Sequence, residues 1–233
     1  MKLLHTTDLH FRREWFEWVE AQAPGFDAVC ISGDLLEMVG PQRKDFRVQI
    51  RWVRDWIRRF PGKLFICSGN HDWWMSAHGV TDTDAKGGWL RKMSTVTTAV
   101  DGSRRIENGI QFITIPWLGI PSEMEPAARV IVIAHCPPAY CAVAQSGKQD
   151  LGDSGLAEVC KTSEMLVLCG HVHTPNHWFA TSGQSLCINP GCELQHSTPN
   201  HVIIDTTENT ASLMRQGSVV DCVPLRASAM RTR

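Results

Sequence analysis

The stretch Asp27-Ala28-Val29-Cys30-Ile31-Ser32-Gly33-Asp34 decides the fold. An apolar run of this length, closed by a glycine and then a carboxylate, reads as a buried strand that ends in a turn. Upstream, residues 2–7 form another extended run, and residues 14–22 read as a helix. Downstream, Phe46, Ile50, Val53, Ile57 and Phe60 recur at helical spacing, and residues 63–68 are the next strand. This β-α-β-α-β opening predicts parallel strands joined by crossover helices.

Further along, residues 73–100 read as an irregular excursion with a short helix. Strands are expected at 111–116, 129–134 and 164–169, with a helix at 154–161. Short strand-like runs follow at 177–180, 185–189, 201–206 and 211–220. The change from βα units to consecutive short strands predicts a second, more antiparallel sheet packed on the first. One domain is expected over residues 1–225, with residues 226–233 as a frayed tail.

Bulk properties narrow the class. The chain has 233 residues, 43% hydrophobic and 20% charged, which suits a folded globular protein with a sizeable core. A net charge of -1 provides no global basic field of the kind that marks many nucleic-acid binders. The nine cysteines form no C-x-x-C pair, and Cys30, Cys67, Cys169 and Cys187 lie in apolar runs. That pattern points to buried thiols in a reducing compartment. With no signal peptide and no run long enough to span a bilayer, the expectation is a cytoplasmic protein without a membrane partner.

The chemistry-bearing residues stand at the ends of successive strands. They are Asp8-Leu9-His10, Gly33-Asp34, Gly69-Asn70-His71-Asp72, His135 and Gly170-His171-Val172-His173. Loops at the carboxyl ends of strands form the ligand crevice of α/β sheets, so these segments converge on one edge. Asp8 with His10, and His171 with His173, are two apart, which in extended backbone aims both side chains the same way. Glycines before Asp34, Asn70 and His171 permit the close backbone approach of a crowded site. Imidazole, carboxylate and amide oxygen, with no thiolate among them, suit first-row ions such as manganese, iron or zinc.

D-x-H, G-D-x-x-E, G-N-H-D, a strand-ending histidine and G-H-x-H, in this order, resemble the calcineurin-like metallophosphoesterase superfamily. The likeness runs from Asp8 to about Asp205. Ile188-Asn189-Pro190-Gly191 and Asp153-Ser154-Gly155 further resemble its small, cap-less members. The resemblance implies an α/β fold of two mixed sheets packed as a sandwich with flanking helices (αββα), the metal site at the carboxyl ends of the strands. It implies two divalent ions, manganese in vitro with iron or zinc as alternatives. Asp8, His10 and His173 would hold the first ion, Asn70, His135 and His171 the second, and Asp34 would bridge them. His71 would face the leaving-group oxygen, oriented by Glu37, which stands where the family more often has aspartate. The implied reaction is hydrolysis of phosphodiesters or phosphomonoesters through a metal-bridging hydroxide. The substrate would be a small phosphate ester or nucleotide. A nuclease of the same superfamily and a non-catalytic metal-binding scaffold are the alternatives; His71 disfavours the scaffold.

Each motif alone has an ordinary reading as a strand end or a turn. Only their joint order makes the case. Asp72 reads as a brace for its loop, and His5 as packing. His78, His177, His196 and His201 fit no metal pattern, and nothing marks Cys136 as a nucleophile. The basic helix carrying Arg43, Lys44, Arg47, Arg51, Arg54, Arg58 and Arg59 reads as a solvated face, with a nucleic-acid patch as the alternative. Trp73, Trp74 and Trp89 could stack on a nucleobase or form a satellite core.

Overall fold

Two apolar runs, Leu3-Leu4 and Val29-Cys30-Ile31, lie side by side as parallel strands, and the rest of the architecture is built outward from them. The computed structural model describes residues 1–39, 45–73, 86–121 and 129–225. The first third of the chain runs β1 (Lys2–Thr6), α1 (Arg13–Gln22), β2 (Ala28–Ser32), α2 (Phe46–Arg59) and β3 (Leu64–Cys67). A short helix α3 (Gly88–Arg91) and β4 (Thr98–Ala99) follow. Then come β5 (Arg104–Glu107), β6 (Ile110–Ile115), β7 (Arg129–Ala134), β8 (Gln145–Ser146), β9 (Gln149–Asp150), α4 (Ser154–Thr162) and β10 (Leu166–Leu168). The chain closes with β11 (Phe179–Ser182), β12 (Ser185–Ile188), β13 (His201–Asp205), β14 (Thr210–Arg215) and β15 (Ser218–Pro224).

One sheet has seven strands in the order β15-β14-β13-β1-β2-β3-β4; the other has six, β11-β12-β10-β7-β6-β5. β1, β2, β3 and β4 are parallel, as are β12, β10, β7 and β6, with antiparallel strands at the flanks. Both sheets are therefore mixed, as expected. The allotment of strands differs from the sequence reading. The C-terminal strands β13 to β15 extend the first sheet through an antiparallel pairing of β13 with β1, and the second sheet is parallel at its centre. The run at 211–220 is two strands with a hairpin between them. Gln216 and Gly217 both have positive φ, 47° and 78°, as a two-residue type I′ turn requires. β5 was not anticipated; it joins β6 through Asn108-Gly109, with φ of 50° and 75°.

Alternation along each strand builds four layers. Leu4, Val29, Ile31, Leu64 and Ile66 face Trp15, Phe16, Val53 and Trp56 of α1 and α2. Leu3, Cys30 and Phe65 face the other way, against Phe112, Ile131, Leu166 and Leu186 of the second sheet. Phe65 and Phe112 stack with centroids 4.3 Å apart across this interface. Val130, Val132 and Val167 then meet Leu156 and Cys160 of α4. Strands buried on both faces explain why the sequence shows continuous apolar runs there rather than alternation. Trp89 belongs to the helix-side core and is fully buried, which settles its reading as packing.

On α2, Asp45 caps the helix by accepting from Arg47 N at 2.7 Å. Arg58 pairs with Asp55, Arg59 with Glu20, and Arg54 donates to Trp89 O, as a solvated helix face does. Arg43, Lys44, Trp74, His78 and the expected tail at 226–233 lie outside the described residues. Among the described residues no helix is long and apolar enough to cross a membrane. All nine cysteines are free.

Candidate metal centre

Every chemistry-bearing segment leaves the carboxyl end of a parallel strand. Asp8 and His10 follow β1, Asp34 follows β2, Asn70 and His71 follow β3, His135 follows β7, and His171 and His173 follow β10. The two sheets lie face to face, so these ends meet on one edge of the sandwich.

The pairs two residues apart do face one cavity, but not through extended backbone. Asp8, His10, Asp34 and His171 have φ of 54°, 43°, 52° and 66°. Left-handed conformation costs a non-glycine residue about 1–2 kcal/mol, and such residues concentrate where function requires them. Main-chain bonds hold the conformation: Asp8 N donates to Gly33 O at 3.1 Å, His10 N to Asp34 O at 2.9 Å and Phe11 N to Leu35 O at 2.9 Å. The β1 loop is thus laced to the β2 loop.

The glycines act as the spacing suggested. A Cβ on Gly170 would collide with the Thr7 hydroxyl and come within 2.6 Å of Asp8 Oδ2. A Cβ on Gly69 would collide with the Asp34 carboxylate and its amide. Asp72 is the brace it was read to be. Its buried carboxylate accepts from Leu35 N and Leu36 N at 3.0 Å and from Gly69 N at 2.9 Å, tying the β2 and β3 loops together. Burial, then the charge of Asp34, pushes its carboxyl up to about 7.

Two groups of three donors converge on either side of Asp34. In the first, Asp8 Oδ1 lies 3.3 Å from His173 Nε2 and 3.7 Å from His10 Nε2, and the two imidazole nitrogens are 3.1 Å apart. In the second, Asn70 Oδ1 lies 3.0 Å from His135 Nε2 and 2.9 Å from His171 Nδ1. Asp34 Oδ2 is 3.3 Å from His135 Nε2, and Asp34 also clusters within 4.8 Å with Asp8 and with His10. Donors about 3 Å apart match neighbouring ligands on one ion with bonds of about 2.1 Å.

The electrostatics are those of a site built for cations. Asp8 Oδ1 is buried with no hydrogen-bond partner among the described residues. Burial would raise the Asp8 carboxyl, but the imidazoles of His10 and His173 outweigh it and hold the group well below the usual range. Burial lowers His135, yet the Asp34 carboxylate outweighs it and lifts the ring to about 9. His135 Nδ1 lies 2.7 Å from Ser32 O, to which it donates, leaving Nε2 as the atom facing the site. His171 is pushed down to about 4, by burial first and then by the charge on His135. His5 is pushed down to about 3 by burial; its Nε2 bonds Ser32 Oγ at 2.9 Å in the sheet, a packing role. The Cys136 thiol donates to Leu151 O, and burial, then Asp153, pushes it up to about 12, which favours the protonated thiol.

His71 stands beside these groups. Its Nε2 is 3.9 Å from Asp34 Oδ2, while Nδ1 lies 3.2 Å from Met38 N and 3.5 Å from Glu37 Oε1. The glutamate therefore reaches the ring. Its other oxygen lies 3.6 Å from His10 Nδ1. Burial lowers His71, but Glu37 and Asp34 outweigh it, so the ring is raised from its ordinary value.

Sequence reading assigned no role to several residues here. Gln49 of α2, wholly buried, accepts from Glu37 N at 2.8 Å and donates to Glu37 O at 3.1 Å, fixing the backbone of that glutamate. A buried glutamine on the apolar face of a helix was the available signal. Asn189 donates to Val143 O, Gly170 O and Val172 O, so the Asn-Pro-Gly turn clamps the loop that carries His171 and His173. Trp117 packs its ring 5.6 Å from His135 and 5.2 Å from His171, and its amide donates to Ser68 Oγ. Cys192 Sγ lies within 4.8 Å of ring nitrogens of His10 and His173.

With this geometry, residues 1–175 match the family model for calcineurin-like phosphoesterases, three quarters of the chain, and the chain belongs to that family. Its chemistry is accordingly that of a metal-dependent hydrolase of phosphoesters. TT1561 of Thermus thermophilus is 18% identical with a TM-score of 0.54, covering 97% of this chain and 99% of that one. Another crystal structure reaches a TM-score of 0.65 at 15% identity, covering 93% and 99%. YfcE, a phosphoesterase from E. coli, is 13% identical with a TM-score of 0.46, covering 97% and 100%. The first two likenesses concern the fold alone. No curated protein matches the chain.

Proposed function

We propose that the chain, as one domain over residues 1–225, is a two-metal phosphoesterase acting on small phosphate esters or nucleotides. Asp8, His10 and His173 would hold one divalent ion, Asn70, His135 and His171 the other, with Asp34 shared. The observation that carries this reading is the convergence of two three-donor groups on either side of one carboxylate. The orphaned, buried Asp8 Oδ1 fits a cation better than any protein partner within reach. Manganese, iron and zinc all suit the donor set. When bound, such a pair of ions clamps a phosphate and acidifies water at neutral pH.

This chain's own residues do the rest. His71 presents Nε2 to the pocket. A neutral ring whose Nδ1 accepts from Met38 N–H carries its proton on Nε2; a charged ring donates from Nδ1 to Glu37 and still carries a proton on Nε2. Either way a proton faces the site, which suits protonation of a departing alkoxide. Gln49 keeps Glu37 in register for that task. Free thiols, most of them buried, suit a reducing compartment, and we place the protein in the cytoplasm on that ground.

The test measures metal content and activity together. Protein reconstituted with manganese, and separately with zinc or iron, is expected to saturate at two ions per chain and to hydrolyse aryl phosphates, diesters at least as well as monoesters. Saturation at one ion would overturn the dinuclear reading. Inactivity on monoesters, linear and cyclic diesters and single-stranded nucleic acid, with both ions bound, would favour the scaffold.

Trp117 forms one wall of a small cleft beside His135, together with Pro116, Leu118 and Leu156. A planar arm of the substrate would pack on the half-buried Trp117 ring at the mouth of this cleft, a contact worth about 1–3 kcal/mol. Trp117→Ala is expected to raise KM for an aryl methyl diester about ten-fold. It should leave KM for a dimethyl ester unchanged, and equal losses on both substrates would remove Trp117 from substrate binding.

A further inference from the structure

We propose that Cys192 gives the first ion a sulfur donor, so that this position is an oxygen, nitrogen and sulfur site while the second has only oxygen and nitrogen. The proposal rests on the two-metal reading and deepens it.

Cys192 is placed by a rigid turn. Asn189 accepts from Gly191 N at 2.9 Å and donates to Gly170 O and Val172 O, and Cys192 N donates to His173 O at 2.8 Å. Gly191 has φ of 71°, and a Cβ on it would stand 2.7 Å from His173 O, so the turn sits directly on the histidine loop. The Cys192 side chain is 5% exposed, and its sulfur lies within 4.8 Å of ring nitrogens of both His10 and His173.

A thiol beside two imidazoles does not by itself make a metal position. The second observation is Asp8. Its Oδ1 is wholly buried, has no hydrogen-bond partner among the described residues, and lies beside the same two histidines, 3.3 Å from His173 Nε2 and 3.7 Å from His10 Nε2. A carboxylate oxygen, two imidazoles and a sulfur thus come together from loops after β1, β10 and β12. The thiol's one hydrogen bond among the described residues, to Asp8 O at 3.5 Å, is long and weak, so that bond competes little with an ion that displaces the proton to solvent.

Thiolate is soft and shifts preference toward zinc or ferrous ion and away from manganese and magnesium. The two positions should then differ in which ion they retain. Without the sulfur, a first position made of carboxylate and imidazole alone would discriminate much less.

Zinc-loaded protein, confirmed at two ions per chain, is examined by zinc X-ray absorption, and cobalt-loaded protein by near-ultraviolet absorption. The expected result is a metal–sulfur path at about 2.3 Å, with one sulfur per two zincs, and a thiolate-to-cobalt charge-transfer band. Both should vanish in Cys192→Ser and persist in Cys222→Ser, whose thiol is exposed on β15. Cys192→Ala replaces the serine variant if that one does not fold, and the wild-type sulfur count decides independently of either. Full zinc loading with a shell of nitrogen and oxygen only would overturn the proposal and leave the two-metal reading standing, as would a sulfur path that survives the loss of Cys192. Failure to take up two ions appears in the metal content before any spectrum and overturns both.

Discussion

Asp34→Ala is expected to lose metal and activity together. In the proposed centre this carboxylate is the shared donor, and it is already held for that task. Its Oδ1 accepts from His71 N at 2.8 Å, leaving Oδ2 aimed at His135 Nε2, 3.3 Å away. Removing it deprives both donor groups of a member and leaves the second with nitrogen and amide oxygen alone. Two-metal clamping supplies several kcal/mol of transition-state stabilisation, so the loss should be on the order of 10³-fold or more. Metal content should fall below two ions per chain at the same time. Circular dichroism should remain native, because the surrounding loops are tied by Asp72 and by backbone bonds that do not use the Asp34 carboxylate, and only the bond from His71 N is lost with it. A variant that kept two ions and half its activity would show that the carboxylate is not shared.

His71→Ala separates the same two quantities. Its Nδ1 faces Met38 and Glu37, and although a ring nitrogen also clusters within 4.8 Å with His10 and Asp34, both three-donor groups are complete without it, so both ions should remain. The rate should fall about 10²–10⁴-fold, the usual worth of a positioned acid. The loss should shrink on substrates with a nitrophenolate leaving group, which departs without a proton. Glu37→Gln should show a weaker form of the same pattern. If His71→Ala came out depleted of metal, the residue would belong among the ligands and the acid role would be lost.

The ligand candidates were legible because strand ends are legible. Continuous apolar runs closed by Gly33-Asp34 or Gly170-His171 mark where a buried parallel strand meets the crevice. Nothing comparable marks which sheet a strand joins. β13 reads locally like any other short strand, and only its distant partner β1 decides its place. The hairpins at Asn108-Gly109 and Gln216-Gly217 carried a signal, since such pairs favour positive φ, but β5 is short and mostly exposed and lacks an apolar face to announce it. Asp8 and His10 come together through left-handed backbone, not through the extended alternation that their spacing suggested. Gln49, Trp117 and Cys192 act through neighbours that are close in space and remote in the chain, which no spacing rule reads.

The pairing of β1 with β13, from Lys2 against Asp205 to Thr6 against His201, also sets an order of events during synthesis. At ribosomal rates of roughly 5–20 residues per second, β1 waits on the order of ten seconds or longer for its neighbour. All the proposed ligands, from Asp8 to Cys192, emerge before β13 does. A nascent chain therefore carries its full set of imidazoles and carboxylates while one side of its central strand is still open. Whichever ion is abundant around the ribosome has the first opportunity to bind, ahead of the cooperative closure of the sheet.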